Sequence, residues 1–452
     1  MKTKHITLSG VPEGFDAIML QKEAAEGGVI HVARDANRMQ AMQAALAFFA
    51  PELPVFLFPA WDCLPFDRVS PNADVSAARM ASLAIFMTAI PKSFIVLTTL
   101  AGANQRVPAR ATLKDAVFSA AVQSRVDEKA LRNFLVRMGF VQTPIVMEAG
   151  DYAIRGGIID IFPPGETGPI RLDFFGDTLD GLRKFDPITQ RTTQNLDRIE
   201  LTPVSEVILD AASIRRFRQN YRIEFGAAGT DDPLYEAVSA GKKHQGFEHW
   251  LPFFFDKLET IFDFIPTASV VLDDQFEGAR AARWDIIADQ YDARKTALDK
   301  KDRVATVYKP TPPELLYLND SSWTTAVANR RVVSLSVLPQ PTGLGSVDAG
   351  ARIGRNFAPE RQNETLSLFG ALSDHIKKII PNKPIVITSY SPGSSERLAG
   401  LLHDEGHSKA ISIRDVKGIQ GGGLYLAVSA LDHGFETEKL MVITEQDILG
   451  DR

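Results

Sequence analysis

Within its first hundred residues the chain alternates short apolar runs with longer amphipathic ones, and that alternation limits the possible folds more than any other feature. Ile6-Thr7-Leu8, Val29–Ala33, Val55–Phe58 and Phe94–Thr98 have the length and the branched or aromatic content of strands. Helices are predicted between them over Phe15–Glu26, Asp35–Phe49 with Asp35 at the N-cap, and Asp74–Thr88. Strand–helix–strand repeats of this kind build βαβ units and therefore a parallel sheet. His31 sits inside one of the apolar runs and reads as a core histidine, not a ligand.

A unit of this layout binds nucleotide when its first loop cradles phosphate. The cradle needs Gly-x-x-x-x-Gly-Lys-Ser/Thr, so that backbone N–H groups and a lysine surround the phosphates. Here the loop is Ser9-Gly10-Val11-Pro12-Glu13-Gly14-Phe15-Asp16. It has neither the lysine nor the Mg-binding hydroxyl, Pro12 lacks a donor, and Glu13 and Asp16 would repel phosphate. The loop is not expected to bind ATP. A later apolar run, Ala268–Leu272, ends in Asp273-Asp274, like the strand whose acids hold Mg²⁺ beside a nucleotide. Without a phosphate loop, these acids are expected to cap the next predicted helix, Gln275–Ala293.

At 452 residues the chain is too long for one core and suggests three or four domains. A net charge of −6 argues against a protein built chiefly to wrap nucleic acid. Arg215, Arg216 and Arg218, in a predicted helix over Ser213–Tyr221, read first as a solvated face and second as a nucleic-acid contact. The single cysteine, Cys63, excludes an internal disulfide and fits a reducing, cytoplasmic setting. The basic start Met1–His5 is followed by no apolar signal core, and no apolar run reaches membrane-spanning length.

From about Lys129 the pattern changes. A helix over Asp127–Met138 leads into a β-rich block. Arg155–Pro164, Ile170–Phe175 and Leu182–Pro187 are β-prone runs separated by Gly165–Pro169 and Gly176-Asp177, which predicts an antiparallel meander. Alternation along the middle run puts Ile170, Leu172 and Phe174 on one face and Arg171, Asp173 and Phe175 on the other. An aromatic beside an arginine on a polar face is a typical anchor for a protein partner. The plainer reading covers Phe175 with a neighbouring element and pairs Arg171 with Asp173.

The wording of this block favours the first reading. Arg155-Gly-Gly-Ile-Ile-Asp-Ile-Phe-Pro163, then Arg171-Leu-Asp-Phe-Phe175, then Phe185-Asp-Pro-Ile-Thr-Gln-Arg-Thr192 resembles the UvrA-binding domain shared by UvrB and the bacterial transcription-repair coupling factors. Phe58–Pro71, Asp232–Ala237 and Ile443–Arg452 resemble the coupling factors in particular, and the resemblance runs along nearly the whole chain. It implies a degenerate UvrB/helicase-like parallel-sheet domain in two parts, residues 1–118 and 206–335. A β-rich UvrA-binding domain is inserted at 119–205. A linker at 336–350, rich in Pro and Gly, leads to a small separate α/β domain at 351–452 of unknown role.

The resemblance also implies the function. Such a region is non-catalytic, holds no cofactor or metal, and recruits UvrA to RNA polymerase stalled at a DNA lesion, starting nucleotide excision repair. The UvrA contacts carry over onto Arg155, Arg171 and Phe175, with Arg183 as a weaker candidate on the neighbouring strand. The strand-face pattern joins Arg171 to Phe175 but does not place Arg155, because Gly156-Gly157 could bulge the first strand. In the family, an RNA polymerase-interacting domain and an ATP- and Mg-dependent DNA translocase follow in the chain, so this sequence is expected to be part of a longer protein. The family is also thought to mask this surface with the far end of the full chain, so this region alone should bind UvrA constitutively. Rival expectations are a working ATPase, which the degenerate loop opposes, and a damaged-DNA-binding module or vestigial helicase with direct DNA contact, which the acidic balance weakens.

Other motifs point to structure. Glu248–Phe255 is aromatic-rich and expected to pack in a core. His403 and His407 have the i, i+4 spacing of zinc ligands, but Asp404 stands where a metalloprotease needs glutamate, and Gly406 is expected to end the helix. Gly421-Gly422-Gly423 lacks dinucleotide-loop spacing and reads as a turn before a strand.

Overall fold

This computed structural model describes residues 5–88, 90–114, 116–226, 232–299, 308–341, 343, 345–363 and 365–450. Met1–Lys4 and the closing Asp451-Arg452, both used above, lie outside the described residues.

The alternating runs form a seven-stranded sheet, all of whose pairings are parallel. Its order is Ser346–Asp348, His5–Ser9, Val332–Leu335, Ser269–Leu272, Val29–Ala33, Ile95–Thr99, Val55–Phe58. The central strands are buried on both faces, as parallel strands must be, so they read as continuous apolar runs. Helices Phe15–Ala25 and Ala36–Phe49 cover one face; Asp35 caps the second by accepting from the Arg38 N–H. Ser346–Asp348 lies in the stretch expected to be a linker. It pairs with His5–Ser9 instead and forms the edge of the sheet, where Thr7 N–H donates to the Gly345 carbonyl.

The insertion enters through Phe118–Ala121 and leaves through Arg198–Leu201, and these two strands pair antiparallel. Pairing the entrance with the exit lets a whole domain sit in the body without separating the elements on either side. Between them a six-stranded sheet runs Thr192–Asn195, Thr178–Phe185, Ile170–Phe175, Ile158–Ile161, Asp151–Arg155, Val141-Gln142. The helix Glu128–Arg137 seals its apolar face with Leu131, Phe134 and Leu135.

Residues beyond 350 form a third sheet, ordered Arg352-Ile353, Phe435-Glu436, Met441–Thr444, Ile385–Ser389, Leu424–Val428, Ile411–Ile413. Helices Leu368–Ile379 and Pro392–Asp404 cover one face, where Ile385, Ile387, Leu426 and Ile443 are buried. The other face has no helix of its own. Val386, Tyr425, Ala427, Val442 and Phe435 lie in one cluster with Phe15, Leu20, Leu46 and Phe49 of the first domain. At about 1.5–3 kcal/mol for each large apolar side chain removed from water, this shared layer binds the two sheets firmly. The last domain has its own sheet, as expected, but borrows the cover for one face of it.

Candidate docking face

The candidate docking face is built by register in the meander. Gly156-Gly157 does not bulge a strand. It is the turn of a tight hairpin, with Gly156 at φ +60°, and Arg155 is the last residue of the strand before it. Arg155 lies opposite Ile158, which lies opposite Asp173; one row along, Asp160 is opposite Arg171, which is opposite Arg183. Directly opposed residues share a face. Arg155, Arg171 and Arg183 therefore stand on one side of the sheet, with Ile159, Leu172 and Leu182 on the other, in the core. Sequence alternation alone left Arg155 unplaced because it could not tell a turn from a bulge.

Phe175 ends its strand on the arginine face and is 83% exposed. The neighbouring element that the plainer reading would lay over it is absent among the described residues. Arg171 does not pair with Asp173. Its Nε and Nη2 donate to the two oxygens of Asp160 at 2.7 and 2.9 Å, its Nη2 also reaches Gln190 Oε1 at 3.2 Å, and its guanidinium lies 4.6 Å from the Phe185 ring centroid. These hydrogen bonds to Asp160, more than the direct charge, hold the Arg171 pKa above its usual value. Asp173 pairs instead with Arg183, Nη2 to Oδ2 at 2.5 Å. Arg155 Nη2 donates to the Pro144 carbonyl at 2.6 Å and has no carboxylate partner among the described residues. Of the candidates, Phe175 is exposed, Arg155 is held by a backbone carbonyl, Arg183 pairs with Asp173, and Arg171 is fixed by Asp160.

Three contributors went unnoticed in the sequence. Asp160 looked like one more residue of a β run. Gln190 sits at φ +58°, and Ile188 is 80% exposed on the loop between two strands. Asp186 fixes that loop by accepting from the N–H groups of Ile188 and Thr189 and from the Thr189 hydroxyl. The Asp-Pro-x-Thr spacing is an Asx-turn signal that could have been read.

In the position of a nucleotide site, the body has a closed charge network. Arg38 Nη2 lies 2.6 Å from Asp16 and 3.4 Å from Asp273, and its Nη1 lies 3.4 Å from Glu13. Asp273 also accepts from the Arg34 N–H, and Asp274 accepts from the Val337 N–H; neither acid caps the following helix as expected. Arg38, arriving from the neighbouring helix, provided a stronger partner than a helix N-terminus. Phe15 occupies the place of the phosphate-binding lysine and faces Phe435 at 5.6 Å between ring centroids. His407 meets the Ser373 hydroxyl at 2.9 Å, beyond a helix that stops at Asp404. No group of three or more His, Cys, Asp or Glu suited to a metal occurs among the described residues. No described helix is long and apolar enough to cross a membrane.

Buried titratable groups give the body a defined acid response. Burial holds His31 and His249 down to about 4 and pushes Glu248 up to about 7 and Asp16 up to about 6. Each histidine stabilises the fold above its unfolded value of 6.5 and loses that contribution as pH falls toward 4. Glu248 acts in the opposite direction. The folded protein binds its proton below about 7, the unfolded chain only near 4.5, so stability is gained as pH falls through that window. Glu248→Gln removes this offset and is expected to steepen the acid loss of stability. Thermal melts between neutral pH and the Glu248 unfolded value test it; parallel profiles for the two proteins would refute it.

An exposed aromatic stands at the end of an arginine row, on a β-rich domain inserted into a parallel-sheet α/β body. Residues 118–207 match the UvrB interaction domain, and residues 378–448 match the D3 domain of MFD. Over nearly its whole length the chain is similar to the N-terminal region of the transcription-repair-coupling factors. It is 28% identical to that of Escherichia coli over 98% of this chain and 38% of that protein. Identity to the Haemophilus influenzae protein is 28% over 99% of this chain and 38% of that protein, and to the Myxococcus xanthus protein 34% over 57% and 23%. The chain thus spans 38% of the length of the Escherichia coli relative.

Proposed function

We propose that this chain is the recognition part of a transcription-repair coupling factor. Its inserted domain binds UvrA and so brings nucleotide excision repair to RNA polymerase stalled at a DNA lesion. The observation that carries this reading is Phe175, exposed at the end of a strand whose face also holds Arg155, Arg171 and Arg183. A ring that touches little of its own domain, next to guanidiniums suited to carboxylates, is a hot-spot arrangement. On this reading the region itself is not an enzyme, is cytoplasmic and holds no cofactor. ATP-driven translocation on DNA, and the contact with RNA polymerase, belong to the remainder of such proteins. Support for a non-catalytic body comes from the loop Ser9–Asp16, where Phe15 and Asp16 stand at the places of the lysine and the Mg-binding hydroxyl.

Phe175→Ala is expected to weaken UvrA binding about 30-fold or more, corresponding to about 2 kcal/mol, with the thermal melt unchanged. Titration calorimetry with purified UvrA measures it, and an unaltered affinity would remove the assignment. Charge reversal at Arg171 should behave differently. It strands Asp160, 3% exposed, without its partner, and is expected to cost about 2–3 kcal/mol of stability as well as binding. A melt unaffected by that reversal would show that the pair is not structural.

A further inference from the structure

We propose that the exposed face of the helix Ala211–Phe225 is a second binding surface, one that takes the phosphate backbone of duplex DNA. The helix buries Ser213, Phe217 and Tyr221 against an aromatic cluster. On its outer side Arg215, Arg218, Gln219, Arg222 and Ile223 line an open concavity of about 560 Å³. These positions are spaced three, four, seven and eight apart, which places them on one helical face. Among the described residues, no carboxylate lines the concavity. The sequence grouped Arg216 with this cluster, but its Nε donates to Asp256 at 2.6 Å and its Nη1 to the Phe254 carbonyl at 2.9 Å, so it belongs to the packing of the body. Arg222, a full turn beyond Arg218, takes its place.

A single tyrosine sets up two of the three arginines. Tyr235 is 9% exposed; Arg218 Nε reaches its hydroxyl at 3.5 Å, and the Arg222 guanidinium lies 5.6 Å from its ring centroid. Side chains held this way lose less freedom on binding. Arg215 has no partner among the described residues.

The chemistry selects the ligand. Arg215 to Arg222 extends about 10 Å along the helix, whereas duplex DNA offers a charge for about every 1.7 Å of its axis. All three guanidiniums can therefore find a phosphate whatever the base sequence. A protein partner would need an apolar centre in the interface, and among the described residues lining the concavity only Ile223 is apolar. The whole chain, these arginines included, carries a net charge of −6, which disfavours DNA elsewhere and favours this face.

Fluorescence anisotropy with a labelled random-sequence duplex tests the proposal on the whole chain. Three phosphate contacts predict about a 40-fold loss of affinity between 50 and 200 mM salt. The triple variant R215E/R218E/R222E is expected to lose duplex binding and its salt dependence. A charge-matched reversal of the exposed Arg137, Arg198 and Arg414 should retain both, and so should Phe175→Ala. Arginine-to-glutamine versions provide the same comparison if the reversals disturb the circular dichroism. The proposal is overturned by absent duplex binding at 50 mM salt, by equal weakening from the two triple variants, or by arginine-dependent binding to polyglutamate without binding to DNA.

Discussion

Arg79→Met is expected to destabilise the parallel-sheet body by about 3–5 kcal/mol, the usual consequence of leaving one member of a buried ion pair alone. Arg79 is fully buried. Its Nε lies 3.1 and 3.2 Å from the two oxygens of Glu206, its Nη2 3.0 Å from one of them, and its Nη1 2.7 Å from the Pro59 carbonyl. The Trp61 indole N–H donates to the same carboxylate at 2.5 Å, and the guanidinium lies 4.4 Å from the Phe58 ring centroid. Glu206 belongs to the segment by which the chain returns from the inserted domain, so the pair ties that return to the body. Urea unfolding followed by tryptophan fluorescence measures the loss. Converting both partners to apolar residues, Arg79→Met with Glu206→Leu, should recover much of it, because no lone charge is then buried. A single-variant loss near zero would refute the account.

Phe435→Ala is expected to cost a similar about 3–5 kcal/mol and to free the last domain from the body. The ring is fully buried, with centroids 5.6 and 5.7 Å from those of Phe15 and Phe49. It also roofs the degenerate loop: a Cβ at Gly14, which sits at φ +83°, would lie 3.0 Å from it. The ring thus closes over the place where a phosphate-binding lysine would have stood. Limited proteolysis should show new cleavage between the first and third sheets, together with a lower melting temperature. Gly14→Ala should act in the same direction through backbone strain and crowding. An unchanged melt and digestion pattern for Phe435→Ala would mean that the shared apolar layer is not what joins the domains.

Much of the scaffold was legible in the residues. Val29–Ala33 and Val55–Phe58 agree with the structure to the residue, and Asp35 is the cap that the sequence predicts, because apolar periodicity and capping chemistry are local. The arginine face was half legible. Alternation joined Arg171 to Phe175, but the hairpin at Gly156-Gly157 was needed to bring Arg155 to the same side. The plainer reading, which paired Arg171 with Asp173, does not hold. Asp173 is near in sequence, yet the cross-strand register sets Asp160 opposite.

The sequence by itself determined the parallel-sheet body, the inserted meander and the loss of a phosphate loop, since each depends on residues close together in the chain. Only the tertiary structure decided which charges remain open to a partner. It also showed that Arg38 gathers Glu13, Asp16 and Asp273 at the first loop and that the last sheet borrows helices from the first. Those outcomes rest on contacts between residues tens to hundreds of positions apart, and burial and ion pairing depend on distance in space, which no local pattern records.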